Sequence, residues 1–301
     1  MEGQSAGAGH GVSDRIVFNM NLDSFSEAPP PEKLRLLFIH HSCGGQLLAE
    51  AGSEQPLGPC LYRSHPNGGG LRSRLEAQGY EIHQASYGSA VGEKTDLFDW
   101  LPKFRQQMDQ ILNVDQNDRA YPDGGRNQIV IWKSCFPNNL LRKVGDPPGD
   151  PAGPALTIWN ARSTLTAVLS ELAKHPEVLF VYVTAPPVAE GSLRSSPWRR
   201  AARVLLGSPT PSRMAALARQ FNSWVVSPSG WLQDYPARNV AVFDYFDLLT
   251  DQGASDFSRY PTGKGADSHP SRAGNQRAAA AFGGFLNRAV RRAGLGTGAP
   301  A

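Results

Sequence analysis

The sequence has few cysteines and no long apolar run. Only three cysteines occur among its 301 residues, namely Cys43, Cys60 and Cys135. An odd and sparse set excludes a disulfide-stapled scaffold and permits at most one bridge. A helix that crosses a bilayer needs a run of about 20 apolar residues, and no stretch of the chain approaches that length. We therefore predict no membrane span.

The chain also lacks a strong charge of either sign. Thirty basic and 27 acidic residues leave a net charge of +3, which gives no electrostatic footprint for binding a nucleic acid. The opening residues MEGQSAGAGHGVSDR have neither the basic start nor the apolar core of a signal peptide. A trimmed secreted or periplasmic chain would look the same as a cytoplasmic one, so the sequence leaves the compartment open.

Apolar residues make up 40% of the chain, and it contains 31 glycines and 24 prolines. This composition predicts a globular protein with a sizeable core and many turns. Residues 1–32 are rich in small residues and proline and are interpreted as a flexible arm. Residues 294–301 are interpreted as a disordered tail. The sequence from 33 to 293 shows neither an internal repeat nor a second composition block, which predicts one domain.

Short apolar runs alternate with segments of helical periodicity along that domain. The predicted strands are Leu34–His40, Tyr80–Ser86, Gln128–Trp132, Val178–Thr184 and Asn239–Phe243. The predicted helices cover Gly68–Gly79 and Leu97–Leu112 and begin again near Ile158, Met214 and Ala278. Alternation of this kind predicts an α/β sandwich of three layers, in which a five-stranded parallel sheet lies between helices.

Ligands of open parallel sheets bind beyond the carboxyl ends of the strands. The segments at those ends carry a hydroxyl (Ser42), backbone amides (Tyr87-Gly88), side-chain amides in KSCFPNN (133–139) and an imidazole (His269) before the last helix. A nucleophile, a base and hydrogen-bond donors for an oxyanion are the parts that acyl transfer needs.

The order of these residues resembles the SGNH (GDSL-like) hydrolases, a family of serine esterases and lipases with a flavodoxin-like sheet. Ser42 stands at the position of that family's nucleophile, and His269 in DSHP matches its catalytic histidine. The resemblance implies that the N–H groups of Ser42 and Gly88 and one asparagine amide form an oxyanion hole. Either Asn138 or its neighbour Asn139 matches the asparagine, and we favour Asn138.

The chain departs from the family's pattern at two places. The family has Gly-Asp-Ser before the first helical turn, whereas this chain has His40-His41-Ser42. The family's acid lies three residues before the histidine, but that position is Ala266. Asp267 is therefore the predicted triad acid, with a Ser–His dyad as the alternative and Asp244 or Asp247 as other candidates to orient the imidazole.

The resemblance favours hydrolysis of O-acyl groups, such as acetyl, on a carbohydrate. We expect His41, Tyr87 and Lys133 to bind the substrate, although Lys133 could instead pair with an acid. Trp132 and Trp198 are further aromatic candidates for stacking against a sugar, but the place of Trp132 at the end of a buried strand favours core packing. Two alternatives remain open. One is an acyltransferase with the same Ser–His site, and the other is a carbohydrate-binding protein without catalysis, which the alanine at position 266 favours.

No cofactor and no metal are predicted. His40 and His41 are adjacent at a strand end, so their side chains point to opposite faces, and no carboxylate or Cys-x-x-Cys motif completes a metal site with Cys43. Cys43 and Cys135 follow neighbouring strands of the expected sheet. They are interpreted either as a disulfide or as buried free thiols, and the frequent burial of free cysteine favours the thiols.

Each site residue also has a structural alternative. Ser42 suits a helix N-cap, Gly88 suits a tight turn, and Asp267 suits the entrance to a helix. The pairing of Ser42 with a matching histidine segment at the other end of the domain favours the catalytic interpretation.

Overall fold

The fold is a three-layer α/β sandwich around a five-stranded parallel sheet. A computed structural model describes residues 21–193 and 209–296. The sheet strands are β1 (Leu34–Ile39), β5 (Tyr80–Ala85), β6 (Ile129–Trp132), β7 (Leu179–Val183) and β8 (Val240–Phe243). Their order in space is β5-β1-β6-β7-β8, and every pair is parallel. The predicted fold class and all five predicted sheet strands are confirmed.

Seven helices of the described residues connect or flank the strands. Their bounds are α1 (Ser42–Leu48), α2 (Leu71–Glu76), α3 (Trp100–Asn113), α4 (Ile158–Leu172), α5 (Pro211–Val226), α6 (Tyr245–Leu249) and α7 (Arg272–Arg292). Threonine N-caps open two of them, because Thr157 accepts from the Asn160 N–H and Thr210 from the Arg213 N–H. Such a cap satisfies an amide that has no acceptor within the helix.

Each face of the sheet has its own hydrophobic core. Successive side chains along a strand point to opposite faces, so Leu37 and Trp132 pack with α3, α4 and α5. Phe38 and Ile131 pack on the opposite face with α1, α2, α6 and α7. The sheet is therefore covered on both sides, which explains why its strands are continuous apolar runs rather than alternating ones.

The sequence did not indicate two small sheets. Strands β2 (Glu50–Ala51), β3 (Gln55–Gly58) and β4 (Leu61–His65) form one of them after α1. Strands β9 (Pro261–Thr262) and β10 (Asp267–Pro270) form the other, an antiparallel pair that precedes α7. These strands are two to five residues long. Strands β2 and β3 are mostly exposed, whereas β4, β9 and β10 consist mainly of buried and half-buried residues. None of them contains the apolar runs that predict the main strands.

Residues 21–32, the described part of the N-terminal arm, contact the domain. Leu22 packs against the core beside α7. Asp23 and Glu27 form ion pairs with Arg288, and the Glu27 carbonyl accepts from Asn287 Nδ2. Residues 21–32 therefore belong to the folded unit. Residues 1–20 and 297–301, and with them most of the predicted arm and tail, lie outside the described residues, as does Trp198.

Candidate active site

Ser42 begins α1 directly after β1 and the residues His40-His41. The two glycines that follow it are required by close packing. A Cβ at position 44 would lie 2.4 Å from His40 Cβ, and one at position 45 would lie 2.0 Å from the Cys60 carbonyl oxygen. Only glycine permits these approaches. Gly44 and Gly45 therefore let α1 pack closely against His40 and Cys60, with Ser42 at the carboxyl edge of the sheet.

His269 lies on β10, at the other end of the domain. The strand is held in place by Ser268, whose Oγ accepts from the Ala189 N–H at 2.9 Å and contacts Ser192 Oγ at 3.0 Å. Phe136 packs edge-on against the His269 ring, with 5.1 Å between ring centroids. The imidazole is therefore positioned by its own strand and by the segment that follows β6.

Ser42, His269 and Asp267 form one chain of hydrogen bonds. Ser42 Oγ and His269 Nε2 are 2.9 Å apart, and His269 Nδ1 and Asp267 Oδ1 are 2.7 Å apart. With the imidazole proton on Nδ1, that nitrogen donates to the carboxylate and Nε2 accepts from the serine hydroxyl. Nucleophile and base within hydrogen-bonding reach, with a third group that orients the base, is the geometry of an activated serine.

The environment of Asp267 keeps its carboxylate ionised. Partial burial alone would raise its pKa, but hydrogen bonds from the backbone N–H and imidazole of His269 lower it below its usual value. Thr262 Oγ1 donates to the second carboxylate oxygen at 3.0 Å. The other two candidate acids are engaged elsewhere, since Asp244 binds Thr184 and caps α6 and Asp247 pairs with Arg219.

The expected oxyanion donors differ in how free they are. Ser42 is the first residue of α1, where an N–H group has no acceptor within the helix. The two amides after Cys43, those of Gly44 and Gly45, donate to the His41 carbonyl. The Gly88 N–H donates to the Glu93 carboxylate at 2.8 Å in an exposed position, so this donor is covered by a side chain that solvent can displace.

The asparagines after β6 do not present free amides, which departs from the expectation for Asn138 and Asn139. Asn138 Nδ2 donates to Asp96 Oδ1 at 2.9 Å and to the Cys135 carbonyl at 3.3 Å. Asn139 Nδ2 donates to the Ala185 and Pro186 carbonyls. Both side chains therefore brace the surrounding loops, because all their amide hydrogens are used within the protein.

The side chain that reaches Ser42 from this loop is Cys135. Its Sγ lies 4.0 Å from Ser42 Oγ, and no catalytic role was predicted for it. The signal that could have found it is its place in the sequence, three residues past the end of β6, next to the strand that leads to Ser42. The motif spacing of the resembling family indicates the asparagines instead.

Two of the three residues expected to bind substrate are buried. His41 donates from Nε2 to the Gly92 carbonyl and accepts at Nδ1 from Thr95, and burial lowers its pKa. Tyr87 stacks on the His41 ring with 3.5 Å between centroids and keeps 43% of its surface exposed. His41 therefore supports the aromatic ring that faces solvent, and Trp132 lies fully in the core.

Lys133 is also fully buried, which corrects the expectation that it contacts substrate directly. Its Nζ donates to the Ser134 carbonyl at 3.0 Å and lies 4.0 Å from Cys135 Sγ. The side chain of Lys133 therefore lies beside Cys135 and not on the surface of the site.

Both ring nitrogens of His40 have partners within the protein. Its Nδ1 donates to the His41 carbonyl, and its Nε2 faces the amide group of Gln84. Burial lowers its pKa to about 3, which keeps the ring neutral.

Among residues 21–193 and 209–296, no three His, Cys, Asp or Glu side chains converge as a metal site. None of the described helices is long and apolar enough to span a bilayer.

Comparison with known proteins gives structural neighbours only. No family model matches the chain, and neither does any curated protein. An acetylxylan esterase from Geobacillus stearothermophilus shares 13% identity over 89% of this chain and 97% of its own, with a TM-score of 0.38. An acetyl xylan esterase from the rumen bacterium Butyrivibrio proteoclasticus shares 13% identity over 87% of this chain and 65% of its own, also with a TM-score of 0.38. Similarity of this degree assigns no activity to the chain.

Proposed function

We propose that the chain is a serine hydrolase of SGNH type that cleaves carboxylic esters through an acyl-enzyme on Ser42. The observation that carries this proposal is the hydrogen bond of 2.9 Å between Ser42 Oγ and His269 Nε2. The 2.7 Å contact of His269 Nδ1 with Asp267 supports it, because a carboxylate at that nitrogen holds the imidazole in the tautomer that accepts a proton at Nε2.

In the first step His269 takes the hydroxyl proton as Ser42 Oγ attacks the ester carbonyl. Negative charge then develops on the former carbonyl oxygen. The Ser42 N–H stabilises it, and the Gly88 N–H joins when the exposed Glu93 carboxylate moves away. Each such donor contributes about 3–4 kcal/mol in the transition state.

In the second step the protonated His269 gives its proton to the leaving alcohol, and the acyl group remains on Ser42. Water then attacks the acyl-enzyme, with His269 as the base. Asp267 stays ionised throughout and stabilises the imidazolium that forms in both steps. No cofactor enters this mechanism.

For the substrate we propose O-acyl groups, such as acetyl, on a carbohydrate. The support is Tyr87, whose exposed ring lies on His41, the residue next to the nucleophile. An aromatic side chain with an apolar face and a polar hydroxyl suits the mixed surface of a sugar.

The test combines turnover of a small chromogenic acetate ester with labelling by a fluorophosphonate. Wild-type protein should hydrolyse the ester and be labelled at Ser42, and Ser42→Ala should lose both. Ser271→Ala is the matched control, since Ser271 precedes α7 without a side-chain cap bond, and it should retain both. Circular dichroism checks that each variant folds.

Two outcomes would change the proposal. Folded wild-type protein that neither turns over the ester nor takes the label would contradict catalysis by Ser42 and favour a non-catalytic carbohydrate-binding protein. If a sugar added to the assay became acylated faster than free acid was released, the chain would be an acyltransferase that uses the same serine.

A further inference from the structure

Two cysteines and a lysine form a cluster beneath the serine. Cys43 follows Ser42 in α1, and Cys135 and Lys133 follow β6, the neighbour of β1 in the sheet. Cys43 is the residue next to Ser42, whose Oγ lies 4.0 Å from the Cys135 sulfur, and the two cysteines are close enough to shift each other's pKa. Lys133 Nζ lies 4.0 Å from the same sulfur. Both cysteines are free thiols in the structure.

The lysine needs a negative partner. Lys133 has no solvent exposure, and burying an unpaired ammonium group is costly. Within the part of the chain that the structure describes, none of the ion pairs with Asp or Glu includes Lys133. Among the described residues, the ionisable acid at hydrogen-bonding distance from its Nζ is the Cys135 thiol, at 4.0 Å. The pairing of a buried cation with this sulfur indicates that Cys135 is held as a thiolate.

The two thiols differ in acidity. The hydrogen bond from Cys43 lowers the pKa of Cys135 well below its usual value, and Lys133 adds to this against the opposing effect of burial. The same hydrogen bond and burial raise the pKa of Cys43. Cys135 is therefore the nucleophilic sulfur, because the thiolate is the reactive form. Cys135 is half-buried, whereas Cys43 is buried.

We propose that Cys135 is a site of oxidation by hydroperoxides and that Cys43 resolves the oxidised form into a disulfide. The Cys135 thiolate attacks the terminal oxygen of hydrogen peroxide, the O–O bond breaks, and the leaving hydroxide takes a proton to become water. The thiolate becomes a sulfenic acid by loss of two electrons. The Cys43 sulfur then attacks the sulfenic sulfur, the S–O bond breaks, and a second water leaves with the Cys43 proton.

The first experiment follows mass and needs no esterase activity, so its outcome is separate from that of the proposed function. Full-length protein is treated with hydrogen peroxide, alkylated and mapped by mass spectrometry. The protein should lose the mass of the two thiol hydrogens, and the bridged peptides should contain Cys43 and Cys135. An unchanged mass in folded protein, or oxidation confined to Cys60, would overturn the proposal.

Variants separate the two roles. In Cys43→Ala the sulfenic acid at Cys135 should persist and be captured by dimedone. In Cys135→Ser the bridge should be absent. Cys60→Ser is the matched control, because Cys60 is also half-buried but burial raises its pKa, and this variant should form the bridge as wild type does. A disulfide between the two remaining cysteines, Cys43 and Cys60, in Cys135→Ser would contradict the assignment.

A second readout tests Lys133. The rate at which iodoacetamide alkylates Cys135 is measured against pH in wild type, in Lys133→Met and in the surface variant Lys174→Met. Loss of the buried charge should move the alkylation profile to higher pH, with at least a tenfold slower rate at neutral pH, while Lys174→Met should match wild type. An unmoved profile in folded Lys133→Met would show that the lysine does not hold the thiolate.

Discussion

Asp267 lies only two residues before His269 on the same short strand, yet one of its carboxylate oxygens reaches both the ring and the backbone of that histidine. Asp267 Oδ1 is 2.7 Å from Nδ1 and 3.0 Å from the backbone nitrogen of His269. The register of β10 against β9 shifts between Asp267 and Pro270. Side chains two residues apart on a strand project to the same face, and the register shift covers the segment in which these two meet.

The contact predicts the effect of Asp267→Asn. The amide places a neutral group at Nδ1 and favours the wrong imidazole tautomer, so kcat for a chromogenic acetate ester should fall by about 100- to 10,000-fold. Thr262→Val is the control, since it removes only the donor to the second carboxylate oxygen, and it should change kcat by less than about tenfold. Equal losses in both variants would assign Asp267 a purely structural role.

The hydrogen bond between Gly88 and Glu93 predicts that removing the Glu93 carboxylate increases kcat/KM. Glu93→Ala uncovers the Gly88 N–H, so kcat/KM for the same ester should rise several-fold. Glu93→Gln should also raise kcat/KM, because a neutral acceptor binds the Gly88 N–H less strongly than a carboxylate does. The rise should be smaller than in Glu93→Ala, since the glutamine retains an oxygen acceptor. If kcat/KM in folded Glu93→Ala equalled that of wild type, Gly88 would not stabilise the oxyanion.

The exposed ring of Tyr87 predicts that its removal changes KM for a sugar ester but not KM for a small ester. Tyr87→Ala removes the exposed ring and should raise KM for an acetylated oligosaccharide about fivefold, since an aromatic contact contributes about 1 kcal/mol. KM for the small chromogenic ester should hardly change. Leu57→Ala is the control, because Leu57 is another large exposed apolar side chain. Equal effects of Tyr87→Ala on both esters would argue against a sugar contact at this ring.

Buried His40 and Asp244 predict opposite contributions to acid stability. Burial lowers the pKa of His40 to about 3 from its usual 6.5. Between these values the unfolded chain binds a proton that the folded protein does not, so acid destabilises the fold. Burial raises the pKa of Asp244 to about 6 from its usual 3.8. Between those values the folded protein holds the extra proton, so acid stabilises the fold.

Variants at the two positions should therefore change the pH profile in opposite directions. From pH 6.5 to pH 4.5, the free energy of unfolding should fall less in His40→Gln than in wild type. It should fall more steeply in Asp244→Asn, which should also be the more stable protein at pH 8, where the native carboxylate is charged. Each group changes the slope by about 1.4 kcal/mol per pH unit at most. Urea unfolding across this range measures both slopes, and parallel profiles would contradict the prediction.

Apolar periodicity sufficed to predict the main sheet. Strands such as β6 and β7 are buried on both faces, so each is an apolar run that local sequence reveals. Strands β9 and β10 are too short and too polar for that signal. The attachment of residues 21–32 to α7 depends on Arg288 and Asn287, which lie more than 250 positions away in the sequence. No local pattern carries that information.

The part of the site that lies at the carboxyl ends of the parallel strands was predictable from the sequence. Ser42 and His269 were predicted at one sheet edge, and the structure brings them into contact. The oxyanion side was less predictable, because which side chain fills a gap depends on three-dimensional packing. Asn138 is drawn away by the Asp96 carboxylate, and the place beside Ser42 is taken by Cys135, whose proximity only the fold reveals.

Ser42 and His269 are separated by 227 positions in the sequence. A chain emerging from the ribosome would complete β1 and expose its serine long before the hairpin with the imidazole is synthesised. Ester cleavage by this protein would therefore require that the chain is synthesised through β10 and that the whole sandwich has folded. A product truncated before β10 would lack the activity, even if its first strands had paired.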